Sequence, residues 1–207
     1  MSDSVPASAD SAPAGWAPAG WAPAGVVLTG RLRDRPQPTL RVEELLLRPW
    51  QSDDAEAVVD AYRDPEIRRW HVRTMTTADA LEWLAQRAAR WRVETGADWA
   101  VIRTGRVVGR AGFRSIQLAE AQAEVAYWTV PAARGQNIAA RAIGAVADWM
   151  FTEIGLHRLE LNHSIGNPTS CRVAEKAGFD YEGTRRQQGW HADGWHDMHL
   201  HARLAPR

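Results

Sequence analysis

The chain has 207 residues, of which 45% are hydrophobic and 24% charged, a composition typical of one globular domain with a substantial core. Lysine plus arginine and aspartate plus glutamate both total 25, so no net basic charge favours a nucleic acid or an anionic membrane as partner. Lys176 is the only lysine, and because Ala177 follows it, the sequence excludes a Walker phosphate loop.

Cys171 is the only cysteine, which excludes an intramolecular disulfide and a multi-cysteine zinc site and suits a reducing compartment. The N-terminus has neither the basic nor the apolar segment of a signal peptide, and no apolar run approaches the ~18 residues of a membrane helix. We therefore expect a cytoplasmic protein that binds neither nucleic acid nor membrane.

Residues 12–25 read APAGWAPAGWAPAG, a five-residue repeat rich in proline, glycine and alanine. Such a segment buries too little apolar surface to offset the entropy lost on ordering. We interpret residues 1–38 as a disordered tail and residues 39–207 as the folded domain. The alternative is that Trp16 and Trp21 dock onto a partner.

The first predicted elements are one strand and two helices. The segment ELLLRPW, residues 44–50, predicts a strand that ends at a proline. Asp53 with Glu56 resembles a capping box that starts a helix ending before Pro65. Thr76 with Asp79 predicts the cap of a second, longer helix with Leu81, Leu84, Ala85, Ala88 and Trp91 on one face, which Gly96 terminates.

The remaining pattern alternates hairpins with helices. A hairpin with its turn at Thr104-Gly105 spans residues 98–116, and a strand spans 123–130. A helix over 138–154, a strand over 157–164, a helix between Asn167-Pro168 and Gly178, and a final hairpin turning at Asp193-Gly194 follow. This order predicts a mixed α/β fold rather than a regular βαβ array.

The segment VPAARGQNIAARAI, residues 130–143, joins a strand to a helix. Pro131 has no N–H with which to continue strand pairing, so the chain swings into the helix that begins at Ile138. The first N–H groups of that helix have no internal partner and carry the positive end of its dipole, which suits a pyrophosphate. Arg134 adds a forked, charged contact. The alternative is an ordinary helix start.

Three segments, in this order, resemble the GNAT superfamily of acyl-CoA N-acyltransferases, in its RimJ/RimL-type branch. EVAYWTVPAARGQNIAARAI resembles the family's strand, phosphate loop and helix, and HRLELNHSIGNPTSCRVAEKAGF resembles its second signature. GWHDMHLHARL resembles the last strands. The resemblance covers residues 42–204. Asn137 departs from the pattern by replacing a small loop residue, which puts coenzyme affinity in question, although asparagine tolerates left-handed backbone geometry.

This resemblance implies a central, mostly antiparallel sheet with splayed middle strands and about four flanking helices. It implies acetyl-CoA as co-substrate and no metal. Val130 is expected to form hydrogen bonds with the pantetheine through its backbone. Asn167 is also expected to bond the pantetheine; the alternative is an ordinary N-cap. The pyrophosphate is expected to bind the Arg134 side chain and the backbone of Gly135, Gln136, Asn137, Ile138 and Ala139.

Acyl transfer to an amine requires a base, because a free primary amine titrates near ~10. Glu124 is the candidate base, since it shares a strand face with Ala126, Trp128 and Val130; the alternative is a surface glutamate. The resemblance assigns the leaving thiolate to Ser170, because the helix after the second signature has no tyrosine. The alternative for Ser170 is local backbone bonding. Cys171 is interpreted as a small buried hydrophobe.

Three histidines near the C-terminus raise the question of a metal site. On a strand, His199 and His201 share a face and His196 points the other way, which leaves two ligands rather than three. We expect no metal site. These histidines are expected to line the acceptor cleft or to face solvent.

Acceptor selection is expected in the first helical pair and the last hairpin. The candidate residues are Trp70, His71, Arg185, Trp190 and Trp195, with Arg68, Arg69, Arg186 and His191 beside them. The predicted function is transfer of an acetyl group to a protein N-terminus or a small-molecule amine in a ternary complex. The alternative is a catalytically silent CoA-binding module. The sequence leaves acyl length and oligomeric state open, a homodimer included.

Overall fold

Eight strands form one sheet in the order β1-β2-β3-β4-β5-β6-β8-β7. The structure, a computed structural model, describes residues 27–206. The strands are β1 (Leu40–Val42), β2 (Leu45–Pro49), β3 (Ala97–Arg103), β4 (Arg106–Gln117), β5 (Gln122–Thr129), β6 (Arg158–Ser164), β7 (Asp180–His191) and β8 (Gly194–Leu204). The helices are α1 (Ala55–Arg63), α2 (Pro65–His71), α3 (Thr77–Arg92), α4 (Ile138–Trp149) and α5 (Pro168–Lys176).

All neighbouring strands are antiparallel except β5 and β6, which are parallel. That parallel pair is short: only Gln122–Glu124 and Arg158–Glu160 are in register. Beyond Glu124 the two strands separate, which leaves a gap in the middle of the sheet. The predicted mixed fold with splayed central strands is therefore confirmed.

Helices cover both faces of the sheet and create two apolar cores. On one face α4 buries Ile138, Ala142, Ile143 and Val146, a period of three to four residues that matches an amphipathic helix. On the other face α1, α2 and α3 pack around Trp128 of β5. Within residues 27–206, no helix combines the length and apolar character that crossing a membrane requires.

Two helix boundaries differ from the sequence prediction. Pro65 starts a helix rather than only ending one, because Asp64 caps α2 by accepting the Ile67 N–H at 2.9 Å. The predicted capping box at Asp53 is wrong. A 3₁₀ turn, Ser52–Asp54, precedes α1 instead. The box predicted at Thr76 is confirmed, as its hydroxyl accepts the Asp79 N–H at 3.2 Å.

The segment before β1 packs on the domain. Leu32 is 0% exposed, and the Glu94 carboxylate accepts the N–H groups of Gly30 and Leu32, each at 2.8 Å. The Trp99 indole donates to the Pro38 carbonyl at 2.8 Å. The predicted boundary of the tail at residue 38 therefore lies too late in the chain. The tryptophan repeat, residues 12–25, lies outside the described residues.

Leu32→Ala should lower the free energy of unfolding by about 2–5 kcal/mol, because it empties a fully buried leucine site. Leu28→Ala is the matched control, since Leu28 is 76% exposed, and should stay within about 0.5 kcal/mol of wild type. Denaturant unfolding of both variants measures the difference. Equal stability of the two variants would contradict the packing of this segment.

Candidate active site

The gap between β5 and β6 opens into a cavity of about 760 Å³ that crosses the sheet. The first turn of α4 and helix α5 line one side of the cavity, and α2 and α3 line the other. Its size is in the range of small-molecule and cofactor sites. The separation of two strands thus connects the two faces of the protein.

Unpaired backbone amides at the start of α4 face this cavity. Gly135 has φ +76° and Asn137 has φ +56°, so asparagine does adopt the left-handed conformation that the sequence analysis required of it. The first N–H bonded in this turn is that of Arg141, which donates to Asn137 O at 3.1 Å. Among residues 27–206, the N–H groups of Gly135, Gln136, Asn137, Ile138 and Ala139 have no acceptor. With the helix dipole, these amides form an anion site.

Arg134 lies beside this anion site but is already paired. Its guanidinium contacts the Asp64 carboxylate at 2.5 Å and donates to Thr129 O at 3.2 Å. Burial raises the pKa of Asp64, but the bonds from Arg134 and from the Ile67 N–H outweigh it and hold that pKa below its ordinary value. Asp64 is therefore charged, and a phosphate must compete with it for Arg134.

Lys176 is a cation at the same site that the sequence analysis did not assign. Its Nζ donates to the Asn137 side-chain oxygen at 2.7 Å and lines the cavity. The Gln136 side chain turns away instead, since its amide donates to Ala132 O at 3.2 Å. The sequence did offer a signal for this role. Lys176 is the only lysine of the chain, and it lies within the second signature motif, three positions before Phe179.

The Val130 backbone is engaged elsewhere. Its N–H donates to Val108 O at 3.0 Å and its carbonyl accepts the Ala133 N–H at 2.9 Å. Backbone groups alternate in direction along a strand, so the N–H groups of Tyr127 and Thr129 face the gap instead. Val130 is also absent from the cavity wall. Tyr127 and Thr129, rather than Val130, therefore present backbone N–H groups to the gap.

Ser170 lies at the narrow part of the cavity, where α5 approaches β5. Asn167 is the N-cap of α5, and its side chain accepts the Ser170 N–H at 3.1 Å. Ser170 is buried, and its hydroxyl lies 2.6 Å from the Tyr127 hydroxyl. Burial raises the pKa of Tyr127 to about 12, so the phenol stays protonated. Tyr127 was not predicted, because it lies on β5 and not in the helix after the second signature.

Glu124 does not face the cavity. Its carboxylate pairs with Arg114 and accepts the Asn162 amide at 2.8 Å, at the point where β5 and β6 separate. Glu124 is also absent from the cavity wall, whereas both of its partners line it. The Oε1 atom of the Glu124 carboxylate is therefore already engaged by both Arg114 and Asn162.

Besides His163, two further histidines, His71 and His191, line the cavity. His71 donates through Nε2 to Tyr127 O at 3.1 Å, and burial lowers the pKa of His71 to about 4. His191 is 7% exposed, and neither ring nitrogen has a partner within the described residues. Burial, followed by the charges of His196 and nearby arginines, lowers the pKa of His191. Both rings are therefore neutral near pH 7.

The remaining predicted acceptor residues divide into two groups. Trp70 lines the cavity and packs edge-on against His191, with ring centroids 5.3 Å apart. Trp190 and Trp195 are 59% and 61% exposed at the tip of the last hairpin and lie outside the cavity wall. Arg185 is outside it too, 3.8 Å from Glu160. Arg68, Arg69 and Arg186 are exposed and also lie outside it.

The cavity wall is strongly basic. Arg87 and Arg110 share one buried carboxylate, that of Asp98, at 3.3 and 2.5 Å. The only carboxylate among the described residues of the wall is Glu66. The basic residues of the wall are Arg73, Arg87, Arg90, Arg110, Arg114, Arg134, Arg172 and Lys176. This excess of positive charge favours anionic ligands at both ends of the cavity.

Sequence comparison places this geometry in a known family. Residues 44–180 match the model of the acetyltransferase (GNAT) domain. The chain is 26% identical over 174 residues to the uncharacterized N-acetyltransferase YoaA of Bacillus subtilis, covering 82% of this chain and 98% of that protein. It is 28% identical over 104 residues to the ribosomal-protein-serine acetyltransferase of Escherichia coli, covering 50% of this chain and 58% of that protein.

Solved structures share the fold. RimL, a ribosomal L7/L12 alpha-N-protein acetyltransferase in complex with coenzyme A, superposes with a TM-score of 0.74 at 17% identity, covering 79% of this chain and 95% of that chain. Mycobacterium smegmatis RimJ in complex with CoA-disulfide has a TM-score of 0.73 at 24% identity, covering 81% and 86%. The chain belongs to the GNAT family and is an acyl-CoA-dependent acetyltransferase.

Proposed function

We propose that this protein transfers the acetyl group of acetyl-CoA to the α-amine of a protein N-terminus, by direct attack in a ternary complex. The observation that carries the proposal is the row of five unpaired amides, residues 135–139, at one end of a cavity that leads to Ser170. The names of the relatives support a protein acceptor, since RimL is a ribosomal L7/L12 alpha-N-protein acetyltransferase.

The coenzyme's diphosphate binds the amides at the start of α4. Lys176 adds a positive charge there, and Arg134 joins it by exchanging the Asp64 carboxylate for a phosphate. The pantetheine arm lies along the open edge of β5 and pairs with Tyr127 and Thr129 as an added strand would. This arrangement brings the thioester toward Ser170.

In the chemical step the neutral amine attacks the thioester carbonyl, so that a C–N bond forms and the C–S bond breaks. Ser170 donates a hydrogen bond to the departing thiolate, and Tyr127 donates one to Ser170. A thiol titrates near ~8.5, whereas the pKa of Tyr127 is about 12, so full proton transfer from the phenol is uphill. The two hydroxyls stabilise the thiolate, and solvent protonates it after release.

We assign the proton released by the amine to His191 rather than to Glu124. His191 is neutral, lines the cavity and has both ring nitrogens unpaired within the described residues. Glu124 is held by Arg114 and points outside the cavity wall. Because its pKa is lowered, the His191 imidazole is unprotonated at neutral pH and has a lone pair with which to accept the proton.

The acceptor peptide carries carboxylates near its N-terminus. Arg87 and Arg110 share a single aspartate, which leaves one positive charge in excess inside the cavity. The Nε of Arg87 is buried without a partner among the described residues, so it has a donor to offer. Arginine forks bind carboxylates in this geometry.

Release of free CoA should follow mixing with acetyl-CoA and acidic N-terminal peptides, and should be at least about ten-fold slower with basic peptides of the same length. Ser170→Ala should lower kcat by about 10²-fold, because one donor to the leaving group is lost. Ser52→Ala, at an exposed serine outside the cavity, is the control and should match wild type. Coenzyme binding without turnover on any peptide would overturn the proposal.

The pH profile separates the two candidate bases. In wild type, kcat/KM should fall as pH drops through the pKa of His191, which burial places below 6.5, because protonation removes the acceptor lone pair. His191→Gln should lose this acidic limb and most of the rate, while Glu124→Gln keeps the limb. An acidic limb that disappears in Glu124→Gln and survives in His191→Gln would reverse the assignment.

A further inference from the structure

Four side chains with metal-binding atoms converge beneath α5, outside the catalytic groups described above. His163 lies on β6, Cys171 on α5, and His199 and His201 on β8. One ligand atom from each residue lies within 4.8 Å of the other three. His163 is directly opposite His199 in the β6–β8 ladder, so all three imidazoles project from one face of the sheet.

Two separations between the ligand atoms match those of a tetrahedral zinc site. His163 Nε2 and His201 Nε2 are 3.2 Å apart, and Cys171 Sγ is 3.7 Å from His201 Nε2. Zinc–nitrogen bonds of about 2.05 Å and a zinc–sulfur bond of about 2.3 Å, at tetrahedral angles, place two nitrogens about 3.3 Å apart and nitrogen and sulfur about 3.6 Å apart. Two of the six ligand separations therefore already match, and all four ligand atoms lie within 4.8 Å of one another.

The hydrogen bonds of these imidazoles are incomplete within the described residues. His163 Nδ1 lies 2.8 Å from Ser164 O, so it carries the proton and leaves Nε2 with a lone pair. The Nδ1 atoms of His199 and His201 have no partner, and His201 is 0% exposed. If the proton of His201 is on Nδ1, the lone pairs of His163 Nε2 and His201 Nε2 face each other at 3.2 Å. If the proton is on Nε2, the Nδ1 atom of His201 is a buried acceptor without a donor.

The surroundings also suit a cation. The Glu175 carboxylate lies 3.7 Å from Cys171 Sγ and adds negative charge beside the thiol. The Tyr181 ring covers His199 and His201 edge-on, with centroids at 4.9 and 5.5 Å. His163 lines the large cavity, which provides a path for an ion. The Ser164 carbonyl orients His163 as an outer-shell partner does in metal sites.

We propose that His163, Cys171, His199 and His201 bind one zinc ion. Three neutral imidazoles and one thiolate complete the coordination, and the Cys171 thiol releases its proton to solvent when the ion binds. Four protein ligands leave no open position, so the ion is structural. It ties α5 to β6 and β8 and thereby fixes Ser170, the neighbour of Cys171 in the chain. The proposal does not depend on the acceptor or on the assigned base.

The expectation of no metal site counted only two ligands, His199 and His201. His196, as expected, takes no part: its Nδ1 lies 2.6 Å from Ser164 Oγ and its Nε2 2.9 Å from Asp193. The other two ligands are His163 on β6 and Cys171 on α5, which are distant in sequence from His199 and His201. Only the pairing of β6 with β8 brings His163 to this position.

Untagged full-length protein, stripped with a chelator and dialysed, should bind one equivalent of Zn²⁺ and of Co²⁺. Cobalt should give the visible bands of tetrahedral coordination together with a near-ultraviolet thiolate-to-metal band, and zinc should displace both. Cys171→Ser should lose the thiolate band, and His201→Gln should weaken zinc affinity by at least about 100-fold, more than outer-shell changes cost. Zinc should raise the melting temperature of wild type.

His157→Ala is the matched control, because His157 is exposed and lies outside the cluster, and it should bind both metals as wild type does. Circular dichroism of the metal-free variants checks that they fold; for a variant that does not, His199→Gln replaces it. Wild-type protein without a tetrahedral cobalt spectrum, or Cys171→Ser and His201→Gln variants with wild-type zinc affinity, would overturn the proposal.

Discussion

The rest of the structure depends on the early end of strand pairing between β5 and β6. These parallel strands share only three register pairs, after which their facing backbone groups lose their partners. Unpaired backbone groups inside a protein cost free energy unless a ligand or water satisfies them. The same separation opens the cavity between the two faces of the sheet and exposes the first turn of α4 to it. One interrupted ladder thus creates both a space and the polar groups that a coenzyme fills.

The helices on the two faces of the sheet line different parts of the cavity. On the face with α4 and α5, amides and Lys176 form an anion site, and Ser170 meets Tyr127 where the helix approaches β5. On the other face α2 and α3 surround a second, arginine-lined compartment around Asp98. Helix α5 brings three features together, because Asn167 caps it, Ser170 meets Tyr127 and Cys171 faces three histidines.

Local signals predicted the fold well, and they pointed to the first turn of α4, because that segment and its unpaired amides are built from consecutive residues. Contacts that form through the sheet left no local signal. Glu124 was chosen for its strand face, yet its partner Arg114 comes from another strand. Tyr127 was overlooked for the same reason, since only the approach of α5 brings it to Ser170. The helix that begins at Pro65 was not predicted, because proline occurs both after the end of helices and at their first position. The N-cap at Asp64 shows that Pro65 begins a helix here.

Hydrogen exchange tests the central claim most directly, that unpaired amides at the start of α4 hold the coenzyme's diphosphate. Saturating coenzyme A should slow exchange of the amides of residues 135–139 by at least about ten-fold, because they gain acceptors and lose contact with water. The amides of the turn at residues 192–193 serve as the internal reference and should not change. Binding of coenzyme A that leaves exchange at residues 135–139 unaltered would contradict the account.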